Sequence, residues 1–264
     1  MTEEPVPTDL DADRVLAALL QQLRERHHGA VNSILLYGSC LRGGDIFDGL
    51  VDLYLICDSY RAAYASRGLA LSNWLLPPNV FYAELEYEGK TLRSKYALIS
   101  TADFRSGCSP RWFESYIWGR FAQPTRMVYC RDESSRYAVE QCVLQASRTF
   151  LQRALPCLPA FGSVYDLWRG ALALSYGTEL RTERSGRAAE LAQASLGHFE
   201  AVTRQLQGTL DFPFSVYEPE QTLHYRADVS GYRRAAGRLG WLLRRVYGKL
   251  MSVLRLLKGL FTFD

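Results

Sequence analysis

The sequence predicts an α/β protein of the α+β type, in which a sheet with flanking helices is followed by an all-helical domain and a C-terminal amphipathic helix. Three observations support this prediction. Short apolar runs bounded by turn residues lie between residues 34 and 99, as expected for strands. Helical periodicity replaces them from residue 135, and residues 232–261 place their apolar side chains on one side of a helix. The expected domains are therefore residues 1–131, 132–230 and 231–264.

A first helix is predicted from about Asp9 to His28. Thr8 can cap it, and the acids in its first turn and the arginines towards its end suit the helix dipole. Its apolar residues form one face for packing on the sheet: Val15, Leu16, Leu19, Leu20 and Leu23. His27 and His28 fall where the helix frays. A solvated helix end is favoured there over a metal site, because no acid or cysteine lies at ligand spacing.

Two strands joined by a Gly-rich connector form the stretch that carries the chemistry. Ile34–Tyr37 is a short apolar run, and Leu50–Cys57 is a second one around the single acid Asp52. Gly38 and Ser39 follow the first run, where they let the backbone approach a polyphosphate and offer it amide hydrogens and one hydroxyl. Asp52 would point to the same place and hold a divalent metal. This pattern indicates a nucleotidyl-transfer site.

A helix and a hairpin follow the second strand. The helix is predicted over Ser59–Leu75 and ends before Pro77. The hairpin has the arms Val80–Tyr87 and Thr91–Ile99, which are joined by a turn at Glu88-Gly89. These elements complete the predicted sheet.

Charged residues of the hairpin are further site candidates. Glu84 or Glu86 could reach a metal held by Asp52, and Glu84 is the candidate second ligand. The alternation of apolar and acidic residues is also what a half-exposed strand shows, and this interpretation is slightly favoured over a metal ligand. Lys95 on the second arm can meet a triphosphate as a point charge.

Five blocks of residues occur in an order that resembles a known family. They are Tyr37-Gly38-Ser39, the strand around Asp52, Lys95 to Thr101, Gly119-Arg120-Phe121 with Pro124, and Leu174-Ser175-Tyr176 with Glu179 and Arg181. The blocks resemble the mitochondrial translocator assembly and maintenance protein family. Its members are phosphatidate cytidylyltransferases within the DNA polymerase beta-type nucleotidyltransferase superfamily. The resemblance implies a mixed sheet of the nucleotidyltransferase fold.

The resemblance also implies an activity. An enzyme of this kind makes CDP-diacylglycerol and pyrophosphate from CTP and phosphatidic acid, with Mg²⁺ as the cofactor. The nucleotide would bind to Tyr37, Gly38, Ser39 and Lys95. Phosphatidate would bind to Arg120, Glu179 and Arg181. Asp52, Lys95 and Arg120 would be the catalytic residues, with Asp52 as the metal ligand.

The chain departs from the family pattern at three points. Its second strand has one acid where the wider superfamily has two, Asn73-Trp74-Leu75-Leu76 replaces an Asn-x-x-His-Tyr-Ser block, and Gln123 replaces a lysine. Two alternatives therefore stay open. One is a nucleotidyltransferase with another acceptor, and the other is a non-catalytic membrane-docking protein on a degenerate nucleotidyltransferase fold.

The C-terminal helix is predicted to lie on an anionic membrane surface. Eight Lys and Arg residues lie between Arg233 and Lys258 with no acid among them, and no apolar run reaches the ~18 residues of a transmembrane span. The candidate membrane residues are Arg238, Trp241, Arg245, Lys249 and Phe261. Periodicity alone would equally allow this helix to pack on the protein or to form a dimer.

Composition narrows the remaining possibilities. The net charge of +3 is too small to indicate nucleic acid as a partner. The six cysteines contain no Cys-x-x-Cys pair and are expected to be free thiols. An acidic first segment is the opposite of an Arg-rich transit peptide. The expected location is the cytoplasmic face of a bacterial-like cell membrane, as a peripheral protein that could be an oligomer.

Overall fold

A computed structural model describes residues 10–42, 46–180 and 186–262. The chain forms two compact units. The first comprises residues 1–103, 125–138 and 259–264, and the second comprises residues 104–124 and 139–258. The chain thus enters the second unit at residue 104 and returns to the first at residue 125, so the two units are not divided at a single point near residue 132. Most of the C-terminal helix belongs to the second unit rather than to a domain of its own.

The first unit contains a mixed five-stranded sheet, as the α+β prediction requires. Its strands are β1 (Val31–Tyr37), β2 (Leu50–Cys57), β3 (Asn79–Tyr87), β4 (Lys90–Ser100) and β5 (Thr125–Cys130). The order across the sheet is β3-β4-β2-β1-β5. β2 and β4 run parallel, and the other neighbours run antiparallel. β5 was not predicted, because its six residues show no clear alternation and it pairs with a strand nearly a hundred residues earlier.

Helices cover one face of this sheet. The helices within residues 10–108 are α1 (Leu10–Arg26), α2 (Tyr60–Ala63), α3 (Arg67–Leu75) and α4 (Thr101–Cys108), of which α4 continues into the second unit. The apolar stripe of α1 packs with the buried side chains of Val51, Leu53 and Leu55 in one core. The single helix predicted over Ser59–Leu75 is two helices, because Ser66 caps a second helix by accepting from the Leu69 amide at 3.4 Å.

His27 corrects the prediction of a solvated helix end. Its ring is buried, with Nδ1 at 3.0 Å from the carbonyl oxygen of Ala63 and Nε2 at 3.2 Å from the hydroxyl of Tyr96. Burial is the main cause that lowers the pKa of His27 from its ordinary value. His27 is therefore a neutral core residue that ties the end of α1 to the sheet.

The second unit is mostly helical but has a small sheet that the sequence did not predict. Its helices are α5 (Trp118–Phe121), α6 (Glu133–Ala154, which begins in the first unit), α7 (Val164–Tyr176), α8 (Arg187–Ala194), α9 (Leu196–Gln205) and α10 (Gly231–Thr262). Three antiparallel strands lie between them: β6 (Phe161–Ser163), β7 (Phe214–Tyr217) and β8 (His224–Ala227). Strands of three or four residues are too short to show alternation in a sequence, which is why the sequence predicts only helices after residue 135.

Candidate functional site

A row of residues that face one another crosses the sheet of the first unit. Asp52 on β2 is paired with Tyr37 on β1 and with Lys95 on β4, and Lys95 is paired with Tyr82 on β3. Paired residues of neighbouring strands lie roughly 5 Å apart and point to the same face of the sheet. The pairing therefore brings together Tyr37, Asp52 and Lys95, three of the predicted site residues.

Alternation along β2 explains why an acid occurs in an apolar strand. Val51 and Leu53, on either side of Asp52, are fully buried in the core beneath α1. Since successive side chains of a strand point to opposite faces, Asp52 points to the other face, where it is half-buried. Its carboxylate is thus held by a rigid strand and is still reachable.

Gly38 sets the geometry next to this carboxylate. Its φ of +86° lies in the left-handed region, and a Cβ atom built on it would lie 2.8 Å from Oδ2 of Asp52. Glycine satisfies both constraints, because it has no Cβ and adopts positive φ without strain. The exposed Ser39 then begins a short 3-10 turn, Ser39–Arg42. The turn that could present amides to a phosphate therefore begins beside the Asp52 carboxylate.

Glu84 does not lie beside Asp52. It is on the edge strand β3, with β4 in between, and two strand spacings amount to about 10 Å. Its carboxylate accepts a 2.5 Å hydrogen bond from the hydroxyl of Tyr82 and lies 3.6 Å from Nε of Arg93. Glu84 thus contacts its neighbours at an exposed strand edge. This agrees with the expectation of a half-exposed strand, which the sequence slightly favoured over a metal ligand.

The acids and other metal-binding side chains do not cluster. In the part of the chain that the structure describes, no group of three or more His, Cys, Asp or Glu residues could hold a metal ion. Asp52 therefore belongs to no metal site that is made of protein ligands alone within the described residues. An ion there would need ligands from a substrate and from water, which is the usual arrangement for Mg²⁺.

Two predicted phosphate-binding residues come together in the second unit. Arg120 in α5 and Glu179 after α7 line one small cleft, together with Tyr116. Gly119 allows this approach, because a Cβ there would lie 2.6 Å from Oγ of Ser175 in α7. The Gly-Arg block and the Leu-Ser-Tyr block are thus neighbours in space. Arg181, predicted with them, lies outside the described residues.

Gln123 takes a structural role where the resembling family has a lysine. Its Nε2 donates to the carbonyl oxygen of Gly119 at 3.0 Å, and the hydroxyl of Tyr176 donates to its Oε1 at 3.4 Å. This side chain therefore ties α5 to α7.

The C-terminal helix α10 packs on the second unit through its polar side. Trp241 is 2% exposed, and its indole Nε1 donates to the carbonyl oxygen of Arg153 at 2.8 Å. Arg244 donates to the carbonyl oxygen of Phe113 at 2.9 Å. Further along, Arg255 forms a two-point ion pair with Glu114, with N–O distances of 2.5 and 2.6 Å. The prediction that Trp241 lies at a membrane surface is therefore wrong.

The opposite side of α10 exposes its apolar residues. They are Leu239, Leu242, Leu243, Val246, Leu250, Val253, Leu254 and Leu257. The predicted membrane residues Arg238, Arg245 and Lys249 are also exposed, and the side chain of Phe261 lies outside the described part of the helix. In the described residues, no helix combines the length and the apolar character needed to cross a bilayer.

The row across the sheet adds residues that the sequence analysis did not single out. Tyr82 and Thr125 extend it on either side, through β3 and β5. The alternation of β3 placed Tyr82 and Glu84 on one face, but the sequence had no signal for which strand would lie beside Lys95. Thr125 could not be identified from the sequence, because β5 itself was not predicted.

No protein-family model matches the chain, and no curated protein matches it. The function is therefore argued from the arrangement of these side chains and from the sequence motifs.

Proposed function

We propose that this chain is a nucleotidyltransferase that joins CTP to phosphatidate and releases pyrophosphate and CDP-diacylglycerol. One observation carries the proposal: the left-handed Gly38 lies against the carboxylate of Asp52, which is paired with Lys95 on the next strand. A turn for phosphate, a carboxylate for a metal and a cation are the groups that nucleotidyl transfer requires. The choice of CTP and phosphatidate rests on the resemblance of the five sequence blocks.

The reaction asks little of a general base. The phosphate of phosphatidate is already anionic at neutral pH, so one of its oxygens can attack the α-phosphorus of CTP directly. A new P–O bond forms, the bond from the α-phosphorus to the bridging oxygen breaks, and pyrophosphate leaves with that oxygen. What the protein supplies is in-line positioning and neutralisation of charge.

The residues of the row would divide this work. The amides after Gly38 and the hydroxyl of Ser39 would donate to the β- and γ-phosphates. Lys95 would neutralise the charge that develops on pyrophosphate as it leaves.

Asp52 fits a Mg²⁺ ion. Its carboxylate is half-buried and lies where a Cβ of Gly38 would intrude, so the site has room for an ion rather than for a side chain. Mg²⁺ commonly binds to one or two carboxylates and completes its shell with substrate phosphates and water. Bound there, the ion would lower the repulsion between the lipid phosphate and the CTP phosphates.

The second part of the proposal is that the enzyme works as a peripheral protein on an anionic membrane. The apolar side of α10 faces away from the second unit, and the exposed Arg238, Arg245 and Lys249 flank it. The segment 231–262 contains no acid. Each cation near an anionic surface contributes up to ~1 kcal/mol, so the helix combines apolar contact with electrostatic attraction.

A direct assay tests the proposal. The pure protein is incubated with labelled CTP, Mg²⁺ and phosphatidate vesicles, and the lipid fraction is analysed for CDP-diacylglycerol. We expect product from the parent and from Asp48→Asn, which removes an exposed acid just before β2, but not from Asp52→Asn. If the label is transferred to another acceptor, that acceptor and not phosphatidate is the substrate. Absence of nucleotide binding would favour the non-catalytic membrane-docking alternative.

A further inference from the structure

We propose that the first unit makes its own contact with an anionic lipid surface, through the outward side of α3. The contact consists of Leu71, Trp74 and Leu75 together with the neighbouring Arg61 and Arg67, and is called the α3 face below. The inference rests on the membrane association proposed above, but it concerns another unit and another helix.

The apolar part of the α3 face is unusually exposed for so short a helix. Leu71, Trp74 and Leu75 are 55%, 65% and 66% exposed. Their spacing of three and four residues puts them on one side of the helix. Single exposed apolar residues are common on protein surfaces, whereas three large ones side by side mark a contact site.

The helix is held rigidly, so this exposure does not come from a loose segment. Asn73 is fully buried on the inward side. Its Nδ2 donates to the hydroxyl of Tyr64 at 2.8 Å and to the carbonyl oxygen of Leu98 at 3.0 Å, and its Oδ1 accepts from the amide of Asn79 at 2.8 Å. Asn73 thus fixes the rotation of α3 about its axis, and in this orientation Trp74 and Leu75 are exposed.

The charges at the α3 face are positive. Arg61 and Arg67 are exposed, and in the described residues neither forms an ion pair. Both line a groove of about 610 Å³ together with Leu71 and Trp74. The combination matches an anionic lipid surface, where apolar side chains enter the bilayer and arginines stay at the headgroups.

The acids that line the same groove are already engaged. Asp58 receives a 2.8 Å ion pair from Arg131, and Asp103 accepts a 2.6 Å hydrogen bond from the hydroxyl of Tyr60. The Arg131 and Asn32 side chains hold the pKa of Asp58 below its ordinary value in spite of partial desolvation. Arg131 neutralises Asp58, whereas Asp103 accepts from a neutral hydroxyl and keeps its charge, so Arg61 and Arg67 still leave the groove with a net positive charge.

The size of the α3 face also favours a bilayer over a protein partner. Three partly exposed side chains provide only about half of the roughly 800 Å² per partner that a stable protein interface buries. A bilayer needs no matching surface, so a small apolar contact with flanking cations suits it. The occupant we propose is therefore lipid, and a second protein copy is the outcome that would contradict it.

Trp74 is itself the probe for a spectroscopic test on the full chain. The emission of Trp74 is isolated as the difference between the parent and Trp74→Phe. On vesicles that contain phosphatidate in phosphatidylcholine, at low salt, we expect this difference emission to shift to the blue and to be quenched by brominated acyl chains. On phosphatidylcholine alone, or at high salt, we expect neither change. Unchanged Trp74 emission on vesicles that hold the protein would refute the contact.

A binding test with matched variants gives a second readout. We expect the triple variant Leu71→Ser, Trp74→Ser and Leu75→Ser to weaken vesicle binding about tenfold or more. The control Phe161→Ser removes an equally exposed aromatic side chain, 67% exposed, from the second unit and should leave binding unchanged. Melting curves establish that each variant is folded, and the spectroscopic test of the conservative Trp74→Phe decides the matter if the triple variant is not.

The charges of the α3 face are tested separately. Arg61→Glu with Arg67→Glu should weaken binding to anionic vesicles at low salt and have little effect at high salt. If the triple serine variant and the double glutamate variant both bind to anionic vesicles as well as the parent does, the proposal is overturned. A dimer of the parent that the triple variant converts to a monomer would also overturn it, since the α3 face would then bind a second copy.

These outcomes are distinguishable from a failure of the proposed enzyme. If no CDP-diacylglycerol forms but Trp74 is still quenched by brominated lipid, the catalytic proposal fails and the α3 contact stands. If product forms on detergent-dispersed phosphatidate but Trp74 remains solvated on vesicles, the α3 contact fails and the catalytic proposal stands.

Discussion

Gly38 places its backbone so close to Asp52 that a Cβ atom would lie 2.8 Å from the carboxylate oxygen Oδ2. Gly38 directly follows β1 and Asp52 lies on the adjacent antiparallel strand β2, so the pairing of Tyr37 with Asp52 sets the distance between them. The phosphate-binding turn and the metal-binding carboxylate of the proposed enzyme therefore depend on one contact. This dependence can be tested by adding a single methyl group at Gly38.

Gly38→Ala should abolish nucleotidyl transfer, because the new methyl group displaces the carboxylate of Asp52. Gly89→Ala is the matched control, since Gly89 also has a positive φ, +78°, but no atom within 4 Å of an added Cβ. Left-handed strain should cost each variant ~1–2 kcal/mol of folding free energy. Melting curves and the CDP-lipid assay measure the two effects. Full activity of Gly38→Ala would show that the contact with Asp52 is unimportant for the reaction.

Lys95→Met should raise the KM for CTP roughly ten- to hundredfold, the equivalent of losing ~1.5–3 kcal/mol from a hydrogen bond to a charged group. Arg93→Met is its control, because Arg93 is an exposed cation on the same face of β4 that lies near Glu84 instead of Asp52. Steady-state kinetics at varied CTP distinguish the two variants. Equal effects would mean that the site responds to the overall charge of the strand and not to Lys95.

The two sides of α10 should respond in opposite ways. Leu243→Glu with Leu250→Glu places acids on the exposed apolar side, and we expect loss of binding to phosphatidate vesicles with an unchanged melting temperature. Trp241→Ala empties a buried site and should cost ~3–5 kcal/mol of stability. Co-sedimentation and chemical denaturation measure the two effects. If the leucine variant were the unstable one, the apolar side would belong to the protein core.

The buried His27 should make stability depend on pH. Its pKa in the folded protein lies below the ordinary value of 6.5 because of burial, so the unfolded chain binds the proton more readily. The stability that this residue contributes is therefore fully present above about pH 6.5 and is lost as the pH falls through the lowered folded pKa. Denaturation of the parent and of His27→Gln at pH 5 and pH 8 should show a smaller pH dependence in the variant.

His28→Gln is the control for this experiment, because His28 is exposed at the neighbouring position. It should keep the pH dependence of the parent. The same dependence in His27→Gln would assign the effect to other groups.

The sequence by itself determined the local elements of this protein. Alternation and turn residues located β2 at its observed bounds, the hairpin of β3 and β4, and the side of β2 on which Asp52 lies. These features could be predicted because each depends on residues close together in the chain.

Only the tertiary structure decided which of these elements meet. The parallel pairing of Asp52 with Lys95, the position of β5 beside β1 and the burial of His27 by Ala63 and Tyr96 all join distant parts of the chain. The helix α10 makes the same point. Its periodicity shows that it has an apolar side and a polar side, but either side can be covered. The polar side faces the protein because Arg153, Phe113 and Glu114 supply acceptors for the groups on that side, and acceptors so far away in sequence leave no trace in the periodicity of a helix.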